Sequence, residues 1–359
     1  MSSTKGQIMS VLLGFSLFSD FSFVRLQFLL RRYAPEQCWS SFTAQDLRQM
    51  RFSPQRSAEI LETRNKFDPE KFQEKLTADG ITTIDYFEPE YPALLKEIFD
   101  PPLVLYKKGV LNLQNCSGIA VVGTRYPTDY GRTAAAQIIR TLNIGPLISG
   151  MARGIDTIAH QTALDLGLPT IAVLGTGVEQ CYPAENKNIY ARLSKEGALL
   201  SEYPPGSHPD KWRFPRRNRI ITGLSKATLV IEGMLTSGAL ISGKAALEQN
   251  RDVYALPGRL GEPAAEGTNW LIAQGAKPIY NLERLTQELG GQQELHFAKP
   301  TYTLTDDESK IYNEIPAEGA VSMDALLEKF DVSFLSKTLL QMEIKGIISI
   351  LPGKKILRI

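Results

Sequence analysis

Residues 118–124 read GIAVVGT, a short apolar run closed by glycine, and helical spacing of apolar residues follows near 129–142. The pattern then repeats. GPLISG (145–150) precedes a helix near 155–166, and TIAVLG (170–175) precedes one near 185–195. ALLSEY (198–203) leads into a basic loop and helix, TLVIEG (228–233) precedes a helix near 238–248, and DVYALPG (252–258) follows. Repeated strand–helix units predict a parallel sheet with helices on both faces. Runs as continuously apolar as IAVVG and TIAVLG fit strands buried on both sides. The expected class is α/β, with a Rossmann-like, doubly wound parallel sheet as the core.

On the amino-terminal side, residues 1 to about 85 read as helices only. Apolar positions recur at three- and four-residue spacing in SVLLGFSLF, VRLQFLLRRY, FTAQDLRQM and RSAEILETR, interrupted by Pro35, Pro54 and Pro69. The run Ile8 to Phe18 after Lys5 is expected to be a buried helix rather than a signal peptide. No small-residue cleavage site follows it, and helical spacing continues through FVRLQFLLRRY. No stretch reaches the roughly 18 apolar residues of a membrane span. On the carboxyl side, residues 281–300 are polar with Gly-Gly and a proline, and read as a linker. After it come short helices and IISILPGKKILRI, two strands around Pro352-Gly353, the pattern of a winged helix. The expected domains are helical 1–85, core 86–285, linker 286–300 and winged helix 301–359.

The 359 residues are 43% apolar and 22% charged, which excludes disorder for most of the chain. A net charge of +1 provides no global field for nucleic acid, so any such site must come from local clustering. Cys38, Cys116 and Cys181 have no metal-ligand spacing, and an odd count argues against a disulfide framework. A reducing cytoplasm is the expected compartment.

In sheets of this kind the carboxyl ends of the strands converge on one crevice. A dinucleotide needs G-x-G-x-x-G after the first strand, but the turn here is Gly123-Thr124-Arg125-Tyr126-Pro127, and the second strand ends in Ser149-Gly150 rather than an acid. Dinucleotide binding is not expected, and no cofactor is. Several strand ends instead place small residues beside cations: GTR (123–125), SGMARG (149–154, with Arg153), YPAENK (182–187) and TSGAL (236–240, with Ser237 and Gly238). Backbone N–H groups at such helix starts suit anions, and a row of them suits a chain of phosphates. The strongest signal is KWRFPRRNR (211–219), with five basic residues, none acidic, and two aromatic rings. Cations for the backbone and rings for the bases are what single-strand sites combine. The alternative is a solvated basic loop anchored by Trp212 and Phe214.

Catalytic signals are weak. Asp156 and His160 share a helix face at i and i+4, but Asp156 also fits an N-cap and no nucleophile motif accompanies them. Ser149 and Ser237 lack the G-x-S-x-G elbow, His208 is isolated, and three histidines without a cysteine cluster make a metal site improbable.

These stretches resemble the DNA processing protein A family (DprA, also called Smf). The likeness is carried in order by YPALLKEIFDPPLVLYKKG (91–109), IAVVGTRYPTDYG (119–131), ISGMARGIDTIAHQTAL (148–164), TIAVLGTGVEQCYPAENKNIY (170–190), LLSEYPPG (199–206), FPRRNRIITGLS (214–225), LVIEGMLTSGALISGKAALEQNRDVYALPG (229–258) and GTNWLIAQGA (267–276). The resemblance implies a non-enzymatic protein of natural transformation and recombination. Such a protein binds single-stranded DNA cooperatively, forms a homodimer through the Rossmann domain and helps load RecA recombinase. It also implies an amino-terminal SAM-like helical domain and a carboxyl-terminal, DML1-like winged helix. By position, it implies that Phe214 contacts a base and that Arg125, Lys187, Lys211 and Arg217 hold phosphates, with Arg219 as a structural alternative. The family usually reads S-G-S-L-[IT]-T-A where this chain has SGALISG (237–243), with a hydroxyl lost at 239 and a helix-weakening glycine gained at 243.

A phosphoribohydrolase-like enzyme on a related sheet needs a P-G-G-x-G-T-x-x-E loop, and residues 231–238 read IEGMLTSG instead. A duplex-binding regulator would act through the winged helix, but residues 301–359 carry seven basic and nine acidic residues, and duplex-binding modules show a basic footprint.

Overall fold

The computed structural model describes residues 12–114, 116–290, 304–316, 320–345, 347–351 and 355–358. The chain forms two compact units, Met1–Gln293 and Glu294–Ile359. Three sequence expectations lie partly or wholly outside the described residues: positions 8–11 of the first apolar run, 291–300 of the linker, and the Pro352-Gly353 turn.

The first unit is built on a nine-stranded sheet. Its strands are β1 (Thr82–Asp85), β2 (Val104–Gly109), β3 (Gly118–Val122), β4 (Leu147–Ser149), β5 (Thr170–Val173), β6 (Ala198–Ser201), β7 (Ser225–Val230), β8 (Asp252–Ala255) and β9 (Lys277–Pro278). Their order is β1-β2-β6-β5-β4-β3-β7-β8-β9, parallel from β6 to β9, with β2 antiparallel to β6 and β1 antiparallel to β2. From β3 the chain winds one way through β4, β5 and β6 and then returns to place β7 on the other side of β3. This is the doubly wound order expected from the sequence.

The period-two alternation of strands explains why both faces are apolar. Ala120, Val122, Ile171, Val173, Ala198 and Leu200 point to one face, packed with Ile220, Ile221 and Leu240 from the helices Arg213–Gly223 and Gly238–Glu248. Ile119, Val121, Leu147, Ala227 and Leu229 point to the other. There they meet Ile138, Ala159 and Leu285 from the helices Asp129–Leu142, Ile155–Asp165 and Leu282–Leu289.

The amino-terminal region is helical from residue 12, and Leu12, Leu13 and Phe15 are buried as expected. Its core continues into the sheet through Leu103, Val104, Tyr106 and Val178. Two corrections arise. Thr82–Asp85, read as part of the helical stretch, is a strand that pairs with β2. Leu282–Leu289, read as the start of a linker, is a helix capped by Asn281, with Leu285 and Leu289 buried.

The second unit contains helices Asp306–Glu314, Met323–Leu327 and Val332–Ile344 and strands β10 (Val321–Ser322), β11 (Ile348–Leu351) and β12 (Lys355–Arg358), ordered β10-β12-β11. Helix, strand, two helices and a hairpin make a winged helix around Ile311, Leu335, Leu339, Met342 and Ile348.

Candidate nucleic-acid interface

Four adjacent strands, ordered β6, β5, β4 and β3, are each followed by an exposed cation: Lys211 before the helix Arg213–Gly223, Lys187 at the first residue of the helix Lys187–Glu196, and Arg153 and Arg125 in the loops after β4 and β3. Among the described residues Arg125, Lys187 and Lys211 have no ion pair, whereas Arg153 pairs with Glu185. The loops touch one another. Gly154 (φ +76°) lies against the Thr124 and Arg125 backbone, where any Cβ would clash, and Thr124 C=O accepts from Ile155 N–H at 3.2 Å. Buried Asn186 donates to Met151 C=O at 2.9 Å and so fastens the loop of Lys187 to that of Arg153.

Aromatic rings lie along this row. Phe214, half-buried, rests on Gly175 after β5, and its ring centroid is 5.4 Å from that of Tyr182. Tyr182 is 45% exposed and Tyr126, beside Arg153, is 78% exposed. Trp212 meets Tyr203 edge-on at 6.1 Å, with Arg213 over both rings. Tyr182 and Tyr126 are absent from the residues singled out in the sequence. An aromatic at a strand-end loop beside a cation was the available signal.

Other expected contacts prove to be internal. Arg217 is only 5% exposed and donates through Nη1 to the carbonyls of Gly150, at 2.6 Å, and Val173. It ties the ends of β4 and β5 to the helix that carries Phe214. Gly150 has no room for a side chain because the guanidinium lies against it. Burial pushes the Arg217 pKa down to about 10, opposed by nearby Asp156, so it stays charged at neutral pH. Arg219 is internal too, paired with Glu202 at 2.5 Å and Asp100 at 3.7 Å. Ser149 is fully buried and donates to Val121 C=O at 2.7 Å. Gly123 packs against Ile155, and Thr124 N–H donates to Glu232 C=O at 2.8 Å. Arg217, Ser149 and Gly150 are therefore buried beneath the row, while Gly123 and Thr124 are half-buried in the turn after β3.

The small-residue turns are anion sites that the chain fills itself. The Glu232 carboxylate accepts from Thr128 N–H at 2.9 Å and from its hydroxyl, at the amino-terminus of the helix Asp129–Leu142. That is where a dinucleotide's pyrophosphate sits in this fold. Likewise Asp156 Oδ2 accepts from Gly150 N–H at 3.1 Å and Ala152 N–H at 3.3 Å. The Asp156 pKa is raised by burial, with Arg217 opposing. His160 makes no bond to Asp156. Thr170 Oγ1 gives its proton to Leu147 C=O, so His160 Nδ1–H donates to Thr170 Oγ1 at 2.8 Å.

Ser237 caps the helix Gly238–Glu248, its Oγ accepting from Leu240 N–H at 3.3 Å, and exposed Gly238 accepts from Asn218 at 3.2 Å. The departures from the family pattern face inward. Ala239 is buried, and Gly243 packs against Leu271. A cleft of about 230 Å³ lies elsewhere, lined by Tyr254, Lys277, Tyr280, Arg284 and Glu288. Among the described residues no cluster fits a metal ion, and no helix is long and apolar enough to cross a membrane.

Comparison with known proteins bears on the same region. The family model for DNA recombination-mediator protein A matches residues 82–290. Protein Smf of Synechocystis is 42% identical over 237 residues, 64% of this chain and 60% of its own length. DNA processing protein DprA of Bacillus subtilis is 42% identical over 213 residues, covering 58% of this chain and 72% of its own. The chain thus spans about three-fifths to three-quarters of these relatives. Among solved structures, DNA processing protein A of Streptococcus pneumoniae aligns with a TM-score of 0.65 at 31% identity, over 80% of this chain and 98% of that one. That of Helicobacter pylori, whose structure concerns its single-stranded DNA binding mode, aligns with a TM-score of 0.53 at 30% identity, over 58% of this chain and 95% of that one.

Proposed function

The chain belongs to the DNA recombination-mediator protein A family, and from that premise we propose that it binds single-stranded DNA along the four-cation row and delivers the strand to RecA recombinase. The observation that carries this is the row itself: Lys211, Lys187 and Arg125 exposed and free of ion pairs among the described residues, with Phe214 and Tyr182 paired between them. Cations take the phosphates and rings take the bases, which is binding without sequence preference. Ser237 and Gly238 extend the contact on the β7 side. In this reading the core runs from Thr82 to 290, flanked by the helical part and, beyond a linker, the winged helix.

The proposed protein is not an enzyme. Asp156 and His160 are buried and committed to internal hydrogen bonds. The phosphoribohydrolase alternative needs a carboxylate facing a glycosidic bond, whereas Glu232 is turned into a helix amino-terminus. Action on DNA in the cytoplasm as a homodimer completes the proposal.

A recombinase-loading assay tests it. RecA's DNA-dependent ATP hydrolysis on strands precoated with a single-strand binding protein should begin sooner when this chain is added. Replacing Arg125 and Lys187 together by alanine should restore the delay. An unchanged delay with the intact chain rules out loading.

A further inference from the structure

Of the four cations in the row, only Arg153 has an ion pair among the described residues, its Nη2 donating to Glu185 Oε1. The two side chains are 52% and 60% exposed, so water and salt screen the pair and it adds little to fold stability. The backbone beneath it is fastened by other means. Asn186 donates to Met151 C=O at 2.9 Å and to Thr157 Oγ1 at 3.0 Å, and Thr157 donates to Ala152 C=O at 2.7 Å. The pair is therefore not needed to hold the loops. It does place a carboxylate oxygen on the cation that lies between Lys187 and Arg125, where a strand crossing the row would bring a phosphate oxygen.

We propose that Glu185 is a tethered stand-in for a backbone phosphate: it occupies Arg153 in the free protein and yields it to the strand, making Arg153 the fourth phosphate contact. The inference rests on the single-strand reading above. Its consequence is selectivity for polymeric anions. A carboxylate on a short tether competes at an effective concentration in the millimolar range or higher. Inorganic phosphate or a free nucleotide below that concentration does not displace it. A strand already held by Lys187 and Arg125 presents its next phosphate as a tethered group as well, and so competes on equal terms.

The test is a double-mutant cycle read by fluorescence anisotropy with a labelled oligo-dT, using the full chain, E185Q, R153Q and the double variant. The proposal expects E185Q to bind about threefold tighter at low salt, R153Q to bind more weakly, and E185Q to give no gain when R153Q is present. Inorganic phosphate should compete at lower concentration against E185Q than against the unsubstituted chain. An equal gain with and without Arg153 overturns the proposal, because Glu185 would then be only a repelling charge. No gain in either background also overturns it. If the unsubstituted chain fails to bind oligo-dT, the single-strand reading falls and takes this one with it. Binding with an additive cycle removes only the role of Glu185.

Discussion

Arg217 donates to the carbonyl of Gly150 at 2.6 Å from inside the protein, beneath the row of exposed cations rather than within it. The same nitrogen also reaches Val173 C=O, so one side chain holds two strand ends and the helix of Phe214 together. Replacing Arg217 by methionine leaves both carbonyls buried without that partner, at about 1–3 kcal/mol each. Urea denaturation should show a loss of at least about 2 kcal/mol. Arg125→Ala, at an exposed position, should leave the denaturation midpoint unchanged. The reverse pattern would put Arg217 on the binding surface.

The free cations should act through salt. Each phosphate contact removed from a single strand lowers the steepness of log affinity against log salt by about 0.7. Arg125→Ala, Lys187→Ala and Lys211→Ala should each weaken oligo-dT binding and flatten the slope by about that amount. A variant with unchanged slope marks a cation outside the track.

Phe214→Ala should weaken binding by about 1–3 kcal/mol with the salt slope unchanged, as expected when stacking is lost. Phe214→Trp should retain most of the affinity. Unchanged binding with a lowered melting temperature would make the ring an anchor over Gly175.

Much of this organisation was legible. The strand–helix rhythm from 118 to 258 predicts β3 to β8 to within a few residues, and the KWRFPRRNR segment marks the basic loop. What was hidden depends on distance in sequence. Glu232 reaches Thr128 across 104 residues, so no spacing shows that the chain fills its own phosphate site. β1 and β2 carry β-forming residues, Thr82, Thr83, Ile84, Val104 and Tyr106, but their places beside β6 are set by long-range pairing. Two features were visible but unread. Arg217 shares the inward face of its helix with Ile220, Ile221 and Leu224 at +3, +4 and +7. Leu282, Leu285 and Leu289 carry helical spacing through a stretch whose polarity suggested a linker.

His160 gives the fold a pH dependence. Burial pushes its pKa down to about 3 from the ordinary 6.5, so the folded state holds the ring neutral while the unfolded chain takes up a proton below about 6.5. The stability it contributes is fully present above that pH and is lost as pH falls from 6.5 toward 3. Across that window the slope approaches about 1.4 kcal/mol per pH unit. Denaturation curves at pH 7.5, 6 and 5 should show a smaller pH dependence for His160→Asn than for the unsubstituted chain. An identical dependence would mean the ring titrates normally.

The most direct test of the account is a salt titration of the intact chain against fluorescent oligo-dT, with a duplex of equal length alongside. The four-cation row predicts tight single-strand binding that weakens steeply with salt and exceeds duplex binding at every salt concentration. A preference for duplex, or single-strand affinity indifferent to salt, would contradict it.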